Sequence, residues 1–150
     1  MELFLPEVAE FMDREAVEFL DKELFTDVTG GERHEVDVVV KTRFRGEAAF
    51  FLIHVENQSQ PQPAFAKRMF RYFARLHERH DLPVYPIALL SSASPRRVEP
   101  DVYLVEFPDR RVLEFNFRVI RLNRLNWRDF VRSPNPVATA LMLKMNIAPE

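Results

Sequence analysis

The amino-acid sequence predicts a single α/β domain in which helices flank a mixed central β-sheet. Its 150 residues are the size of one domain, and no internal repeat or domain boundary divides residues 1–150. A hydrophobic content of 47%, with 14 phenylalanines, is typical of a globular chain with a packed core. Short apolar segments typical of strands precede and follow one long amphipathic segment, residues 64–80. Local strand pairs joined by one such crossover helix imply a mixed sheet with helices packed on it.

The N-terminal segment is expected to form a helix before the sheet begins. Residues 3–12 predict this helix, because Pro6 suits its first turn and apolar side chains recur near one face. Residues 15–25 fit either a second short helix or an extended segment, and both interpretations stay open. A strand is also expected within residues 24–29.

Two strands with a turn between them form the expected centre of the sheet. Val36 to Lys41 predicts the first strand, because valine fills four of its first five positions and only Asp37 interrupts them. Gly46 marks a turn over Arg43 to Glu47. Ala48 to Gln58 predicts the second strand. Its first half is apolar on both faces, as in a strand that is covered on both sides.

A helix of about residues 64–80 is the expected crossover element. Its apolar positions recur at spacings of four, four and three, which makes a stripe along one face: Phe65, Met69, Phe73 and Leu76. Val84 to Leu90 then predicts another buried strand. Pro86 cannot donate to a strand ladder, so its position is expected to face an edge or a bulge.

The last third of the chain predicts a hairpin followed by a helix. Residues 102–107 and 112–120 have strand character, and Pro108 with Asp109 suits the turn between them. Residues 136–145 predict the closing helix.

Composition and charge exclude some classes of protein. Cysteine is absent, which excludes disulfides and thiolate metal sites. The N-terminus has no basic leader, and no apolar run approaches the roughly 18 residues of a membrane span, so we expect no membrane partner and a cytoplasmic location. A net charge of −2 gives no support for a protein that coats nucleic acid. An enzyme that contacts only a few phosphates does not need a positive net charge.

The residues that suggest chemistry lie between Asp37 and Gln58. A carboxylate among valines is costly to bury unless it is paired or binds a cation. About 19 residues later, Glu56 and Gln58 share one face of a strand. Neighbouring strands can place Asp37 beside Glu56, and two converging carboxylates suit Mg²⁺, with Gln58 directed at the same water. Ordinary pairing of Asp37 with a nearby arginine such as Arg43 explains the same residues without a metal.

A second candidate surface is basic. Arg68, Arg71, Arg75 and Arg79 form a stripe along the predicted helix, with Tyr72 beside them. Such a stripe can hold a phosphate backbone, or it can be a solvated face with local ion pairs. Arg68 and Tyr72 are the strongest candidates for nucleic-acid contact because they follow the Glu56 strand directly. Nearby, His54 is expected to be a core histidine with one hydrogen bond rather than a ligand.

Most of the chain resembles the recombination-promoting nuclease (Rpn) family of transposase-like proteins, a branch of the PD-(D/E)XK superfamily. The matching segments read FLPEVAEFMD, FLDKEL, HEVDVVVK, FFLIHVENQSQ, FAKRMFRYFARL, LPVYPIALL and NPVATALM. The HVENQSQ stretch followed by the RMFRYF helix is the most specific part. The resemblance implies a restriction-endonuclease-like αβββαβ core. Asp37 is then the motif aspartate and Glu56 the second acid, while Gln58 replaces the motif lysine.

The resemblance implies a Mg²⁺-dependent DNA endonuclease, with Mn²⁺ as a substitute, that acts in recombination or transposition. Glu23 is then a possible third acid, against its alternative as a solvated charge. Gln60 either reaches the site as a DNA contact or bonds the backbone of a turn. Glutamine at position 58 offers a hydrogen bond where lysine offers a charge. The alternative is therefore a catalytically weakened module that binds DNA or a protein partner. The partner of such a module can be a second copy of the chain, in a homodimer.

Overall fold

The protein has the mixed α/β fold predicted from its sequence. The computed structural model describes residues 3–20, 24–26, 33–35, 38–58, 64–91, 100–134, 138, 141–142 and 145. Within these ranges the helices are α1 (Pro6–Ala9) and α2 (Phe65–His80). The strands are β1 (Glu18–Leu20), β2 (Leu24–Thr26), β3 (Arg33–Glu35), β4 (Val38–Arg43), β5 (Phe50–Gln58), β6 (Val84–Leu90), β7 (Val102–Glu106), β8 (Arg111–Asn116) and β9 (Arg118–Arg121).

The main sheet is mixed, and β5 lies at its centre. Its described strands follow the order β1-β4-β5-β6-β9. The pairs β1–β4 and β4–β5 are antiparallel, whereas β5–β6 and β6–β9 are parallel. Helix α2 connects β5 to β6, as expected, because parallel neighbours require a crossover connection. Two further ladders, β2–β3 and β7–β8, pair separately from this sheet.

Both faces of β5 are covered, as its apolar composition predicts. Leu52 packs against α2 through Tyr72 and Leu76. On the opposite face, Ile53 packs against the N-terminal segment through Leu5. Leu52 and Ile53 are almost fully buried, and each such side chain contributes roughly 1.5–3 kcal/mol when it is removed from water. This burial fixes which side chains of β5 face α2.

The N-terminal helix is shorter than the predicted range of 3–12, because the residues after it join the sheet. Met12 forms an isolated antiparallel bridge with Phe44, and the Asp13 amide donates to the Arg43 carbonyl at 2.9 Å. The turn after β4 contains Gly46 at φ 79°, a conformation that glycine adopts without a steric penalty. The 3₁₀ turn Arg14–Ala16 then leads into β1, so within residues 15–25 the extended alternative is correct for 18–20 and 24–25, while 15–16 belong to the turn.

A hydrogen-bonded ion pair ties the N-terminal segment to β4. The Arg43 Nε atom donates to Asp13 Oδ2 at 2.9 Å. This hydrogen bond lowers the pKa of the Asp13 carboxyl below its ordinary value, and the Glu15 amide that donates to the same side chain acts in the same direction.

The structure explains how a proline fits inside β6, which has the predicted bounds. Its partner β9 pairs only from Ile87 onward, so Pro86 has no β9 partner and lies beside an open part of the ladder. The predicted strand over 112–120 is two strands. It breaks at Phe117, whose amide donates to the Asp101 carbonyl at 3.0 Å, and β9 then joins the main sheet.

Two predicted elements fall partly outside the described residues. The strand predicted from Val36 is described from Val38 and extends to Arg43, and residues 36–37 lie outside. Of the predicted helix over 136–145, residues 138, 141 and 142 are described and are helical. No described helix has both the length and the apolar character that a membrane span requires.

Candidate active site

Three predicted site residues lie outside the described part of the chain: Asp37, Glu23 and Gln60. For Gln58 the backbone is described as the last residue of β5, where it pairs with Leu90. Glu56, Arg68 and Tyr72 are described with their side chains. Glu56 is therefore the described centre of the candidate site.

Glu56 is a buried carboxylate near the C-terminal end of the central strand. It pairs with Ala88 of β6, and the residue is only 5% exposed. Because side chains alternate along a strand, Glu56 lies on the same face as His54 and Leu52, the face that α2 covers. A carboxylate in this position needs a compensating charge or hydrogen bonds, since an isolated buried charge is strongly unfavourable.

The two carboxylate oxygens of Glu56 have different neighbours. Oε1 lies 3.6 Å from Nη2 of Arg68, and Oε2 lies 3.5 Å from Nε2 of His54. Charge-assisted hydrogen bonds of this type are usually about 2.7–2.9 Å long, so both contacts are loose. Oε2 has no hydrogen-bond partner among the described residues. The carboxylate is thus charge-balanced by one arginine but not fully hydrogen-bonded.

Arg68 reaches Glu56 from the first turn of α2. Its amide donates to the carbonyl of Ala64, the N-cap residue, and its guanidinium lies 5.2 Å from the centre of the Phe65 ring. The side chain is 21% exposed, so it spans the distance from the buried carboxylate to solvent. Sequence reasoning selected Arg68 for phosphate contact and missed its contact with Glu56. The strand–helix connection was the available signal, because it returns the start of α2 to the end of β5.

His54 is a core histidine, as predicted. It is fully buried, and its ring packs edge-on against Tyr72 with 5.7 Å between the ring centres. The single hydrogen bond expected for it is not formed within the described part of the chain, where neither ring nitrogen has a hydrogen-bond partner. The Glu56 carboxylate lies beside the ring, with Oε2 at 3.5 Å from Nε2. His54 and Glu56 therefore form one buried polar pair.

The position of Tyr72 corrects the prediction that it contacts nucleic acid. Tyr72 is only 2% exposed and packs with Val39, Leu52 and Leu76. A ring enclosed in this way is not available to stack on a base or to reach a phosphate. The reason is that α2 turns Tyr72 toward the sheet, with Phe65, Met69 and Leu76, and leaves the neighbouring Phe73 only partly buried.

The four arginines of α2 differ in their exposure to solvent. Arg71 and Arg79 are exposed, while Arg68 and Arg75 are partly buried. The first turn of the helix contains Lys67 and Arg68 but no acidic residue. Helices usually favour acids there, because the helix dipole attracts negative charge to the N-terminus. Two cations at this end favour an anion such as phosphate as a neighbour.

No complete metal site is visible within the described ranges. Among those residues, no group of three histidine or acidic side chains is arranged to hold a metal ion. Asp37 and Glu23 lie outside these ranges, so the predicted two-acid site stays a prediction. What the structure supplies is one buried hard-oxygen ligand, the Glu56 carboxylate, which is not fully hydrogen-bonded among the described residues.

An apolar cavity among the described residues lies away from this polar cluster. A cavity of about 520 Å³ lies on the opposite face of the sheet and is lined by Leu5, Met12, Val40, Ile53 and Ile87 among others. The described residues of its lining are almost all apolar, and Arg14 is the one charged residue among them. A cavity without carboxylates does not suit a divalent ion. The site chemistry therefore depends on Glu56 and its neighbours.

Comparison of the chain with protein-family models, curated proteins and solved structures finds no match. The resemblance to the Rpn family stays a prediction from the quoted motifs. The functional evidence therefore lies in the residues around Glu56.

Proposed function

We propose that the protein is a metal-dependent DNA endonuclease of the PD-(D/E)XK type, in which Asp37 and Glu56 hold Mg²⁺. The observation that carries this proposal is the buried Glu56 carboxylate, whose two oxygens make only loose contacts, at 3.6 Å with Arg68 and at 3.5 Å with His54. A buried carboxylate that is not fully hydrogen-bonded is stabilised by a cation. A role in DNA breakage during recombination or transposition belongs to the same proposal and comes from the Rpn resemblance.

The register of the central strands supports a partner acid for Glu56. Strands β4 and β5 are antiparallel, and Val38 pairs with Val55. If this pairing continued by one residue, position 37 would stand opposite Glu56. Side chains that face each other across an antiparallel pair have Cβ atoms about 4.5–5.5 Å apart, which suits two ligands of one ion. Asp37 itself lies outside the described residues, so its part in the site is a matter for mutagenesis.

The order of elements supports the restriction-endonuclease-like core. When the β2–β3 ladder is set aside, the chain runs α1, β1, β4, β5, α2, β6. This is the αβββαβ order that the resemblance implies. In open α/β sheets, ligands bind beyond the carboxyl ends of the strands, and Glu56 is placed near such an end, beside the parallel strand β6.

Each residue of the proposed site has a defined task. A bound Mg²⁺ supplies Lewis-acid polarisation of the phosphate and a water of lowered pKa. The carboxylates of Asp37 and Glu56 bind the ion, and the Gln58 amide orients the attacking water by a hydrogen bond. Arg68 binds the phosphate and supplies the positive charge that glutamine at position 58 lacks. Its 3.6 Å distance to Glu56 supports this assignment.

Nicking of supercoiled plasmid DNA tests the proposal. We expect cleavage that requires Mg²⁺ or Mn²⁺ and falls to background in Asp37→Ala and Glu56→Gln. Asp109→Ala is the matched control, because this acid is exposed in the β7–β8 turn, and it should cleave like the wild type. Cleavage by Asp37→Ala at the wild-type rate would refute the proposed metal site.

One observation favours a second function, a non-catalytic binding module. Arg68 already balances the charge of Glu56 without a metal, and position 58 lacks the motif lysine. Such a module would bind DNA through Arg71 and Arg79 or would bind a protein partner. Salt-sensitive DNA binding without cleavage in either metal would favour this function over the nuclease.

A further inference from the structure

We propose that His54 is a positioning residue that orients the Glu56 carboxylate by donating a hydrogen bond from Nε2 to Oε2. This inference rests on the proposed function, because its purpose is to present Oε1 of Glu56 to the divalent cation. It assigns a task to a buried histidine that the nuclease proposal does not use.

The distances within the cluster support this task. Nε2 of His54 lies 3.5 Å from Oε2, so a shift of about half an ångström brings the two atoms within hydrogen-bond range. Both atoms have no other hydrogen-bond partner in the described part of the chain. A buried donor and a buried acceptor that lack other partners gain most by bonding to each other, because leaving each unpaired costs about 1–3 kcal/mol.

The surroundings hold the imidazole in the required orientation. His54 is fully buried in the central strand, opposite Val39 of β4, and the Tyr72 ring packs edge-on against it. The ring therefore has little freedom to turn away from Glu56. Tyr72 thus has a structural task at the candidate site, in place of the nucleic-acid contact predicted for it.

The two oxygens of Glu56 are divided between two neighbours. Arg68 lies on the side of Oε1, and His54 lies on the side of Oε2. With Oε2 fixed by His54, Oε1 is the oxygen available to a cation, on the side where Arg68 reaches solvent. Carboxylates that bind metals are themselves hydrogen-bonded, and loss of that support typically weakens metal affinity about 10–100-fold.

Three substitutions at position 54 separate positioning from packing. Glutamine places an amide donor near the position of Nε2, asparagine places it near Nδ1, and leucine keeps the volume without any donor. We expect the Mn²⁺ dissociation constant, measured by electron paramagnetic resonance, to stay within about threefold of wild type in His54→Gln. In His54→Asn and His54→Leu it should rise about 10–100-fold. His80→Gln, at the far end of α2, is the matched control and should bind like the wild type.

The outcomes distinguish this inference from the proposed function. If wild type binds Mn²⁺, Asp37→Ala does not, and the Gln and Asn variants at position 54 bind equally, the role of His54 is refuted while the metal site stands. If wild type binds no Mn²⁺, both proposals fail. The ring tautomer from ¹⁵N NMR of the wild-type protein decides the case if the variants do not fold. A proton on Nε2 supports the inference, and a proton on Nδ1 alone overturns it.

Discussion

Replacing Arg68 by methionine tests directly whether Glu56 exchanges an arginine for a metal ion. Methionine keeps most of the volume of the aliphatic stem and removes the guanidinium. In the wild type, Nη2 of Arg68 lies 3.6 Å from Oε1 of a carboxylate that is only 7% exposed. The substitution therefore leaves a buried negative charge without its described counter-charge.

The expected size of the effect follows from this geometry. Two unit charges 3.6 Å apart attract by about 4–5 kcal/mol at an effective dielectric constant near 20. Removing one member of a buried pair typically costs 3–5 kcal/mol. Arg68 is 21% exposed, so water screens part of the attraction, and we expect a loss of about 3 kcal/mol in the free energy of unfolding without divalent ions.

A divalent cation should reverse much of this loss. Because the cation no longer competes with a guanidinium for Glu56, Mg²⁺ at 100 times its dissociation constant should return about 2.7 kcal/mol. The double variant Glu56→Gln/Arg68→Met lacks both charges of this pair, so it should be more stable than Arg68→Met and should not respond to Mg²⁺. Urea unfolding in chelator and in Mg²⁺ measures each term, with Arg71→Met as an exposed control expected within about 0.5 kcal/mol of wild type.

Two results would refute this reasoning. An Arg68→Met variant as stable as wild type in chelator would mean that the arginine does not balance Glu56. Equal stabilisation of Arg68→Met and of the double variant by Mg²⁺ would mean that the ion binds elsewhere. A destabilised Arg68→Met that Mg²⁺ does not rescue would instead favour the non-catalytic module.

Two further predictions concern the fold and its pH dependence. Leu76→Ala should lower the free energy of unfolding by about 2–5 kcal/mol, because the side chain is fully buried between α2 and the sheet. Phe107→Ala, at an exposed site, should change it little, and urea unfolding measures both variants. The Arg43 hydrogen bond lowers the pKa of Asp13, so the stabilisation is complete above its ordinary value of 3.8 and is lost as the pH falls through the lowered pKa. The stability difference between wild type and Asp13→Asn should thus be constant near neutral pH and should shrink below about pH 3.8, and a difference that grows with acidification would contradict the assignment.

The elements that sequence reasoning predicted well are those whose pattern is local. The strand Val84–Leu90 has its predicted bounds, and α2 begins one residue after its predicted start. Their apolar runs and helical spacing are complete within the segment. The errors come from pairing with distant residues. Residues 3–12 stop being helical where Met12 meets Phe44, and the strand predicted over 112–120 divides because its second part joins β6.

At the candidate site, too, the arrangement within one strand was predictable from the sequence, whereas the packing of the helix on the sheet was not. Strand alternation places His54 and Glu56 on one face, and the structure confirms their proximity at 3.5 Å. The burial of Tyr72 was not predictable in this way. Tyr72 and Phe73 are adjacent in a helix, and the rotation of α2 on the sheet decides which of the two faces the core.

In the proposed nuclease, the contact between α2 and β5 supplies a positive charge near Glu56, where the motif lysine is absent. A lysine at position 58 would come from the strand that carries Glu56, whereas Arg68 comes from the helix that follows it. Both give the site one positive charge, but a guanidinium binds phosphate oxygens in a planar, bidentate manner that an ammonium group cannot reproduce. Because Arg68 is in the first turn of α2, the helix dipole also favours a phosphate at this position. In the proposed nuclease, Arg68 would therefore supply from the helix the positive charge that Gln58 does not supply from the strand.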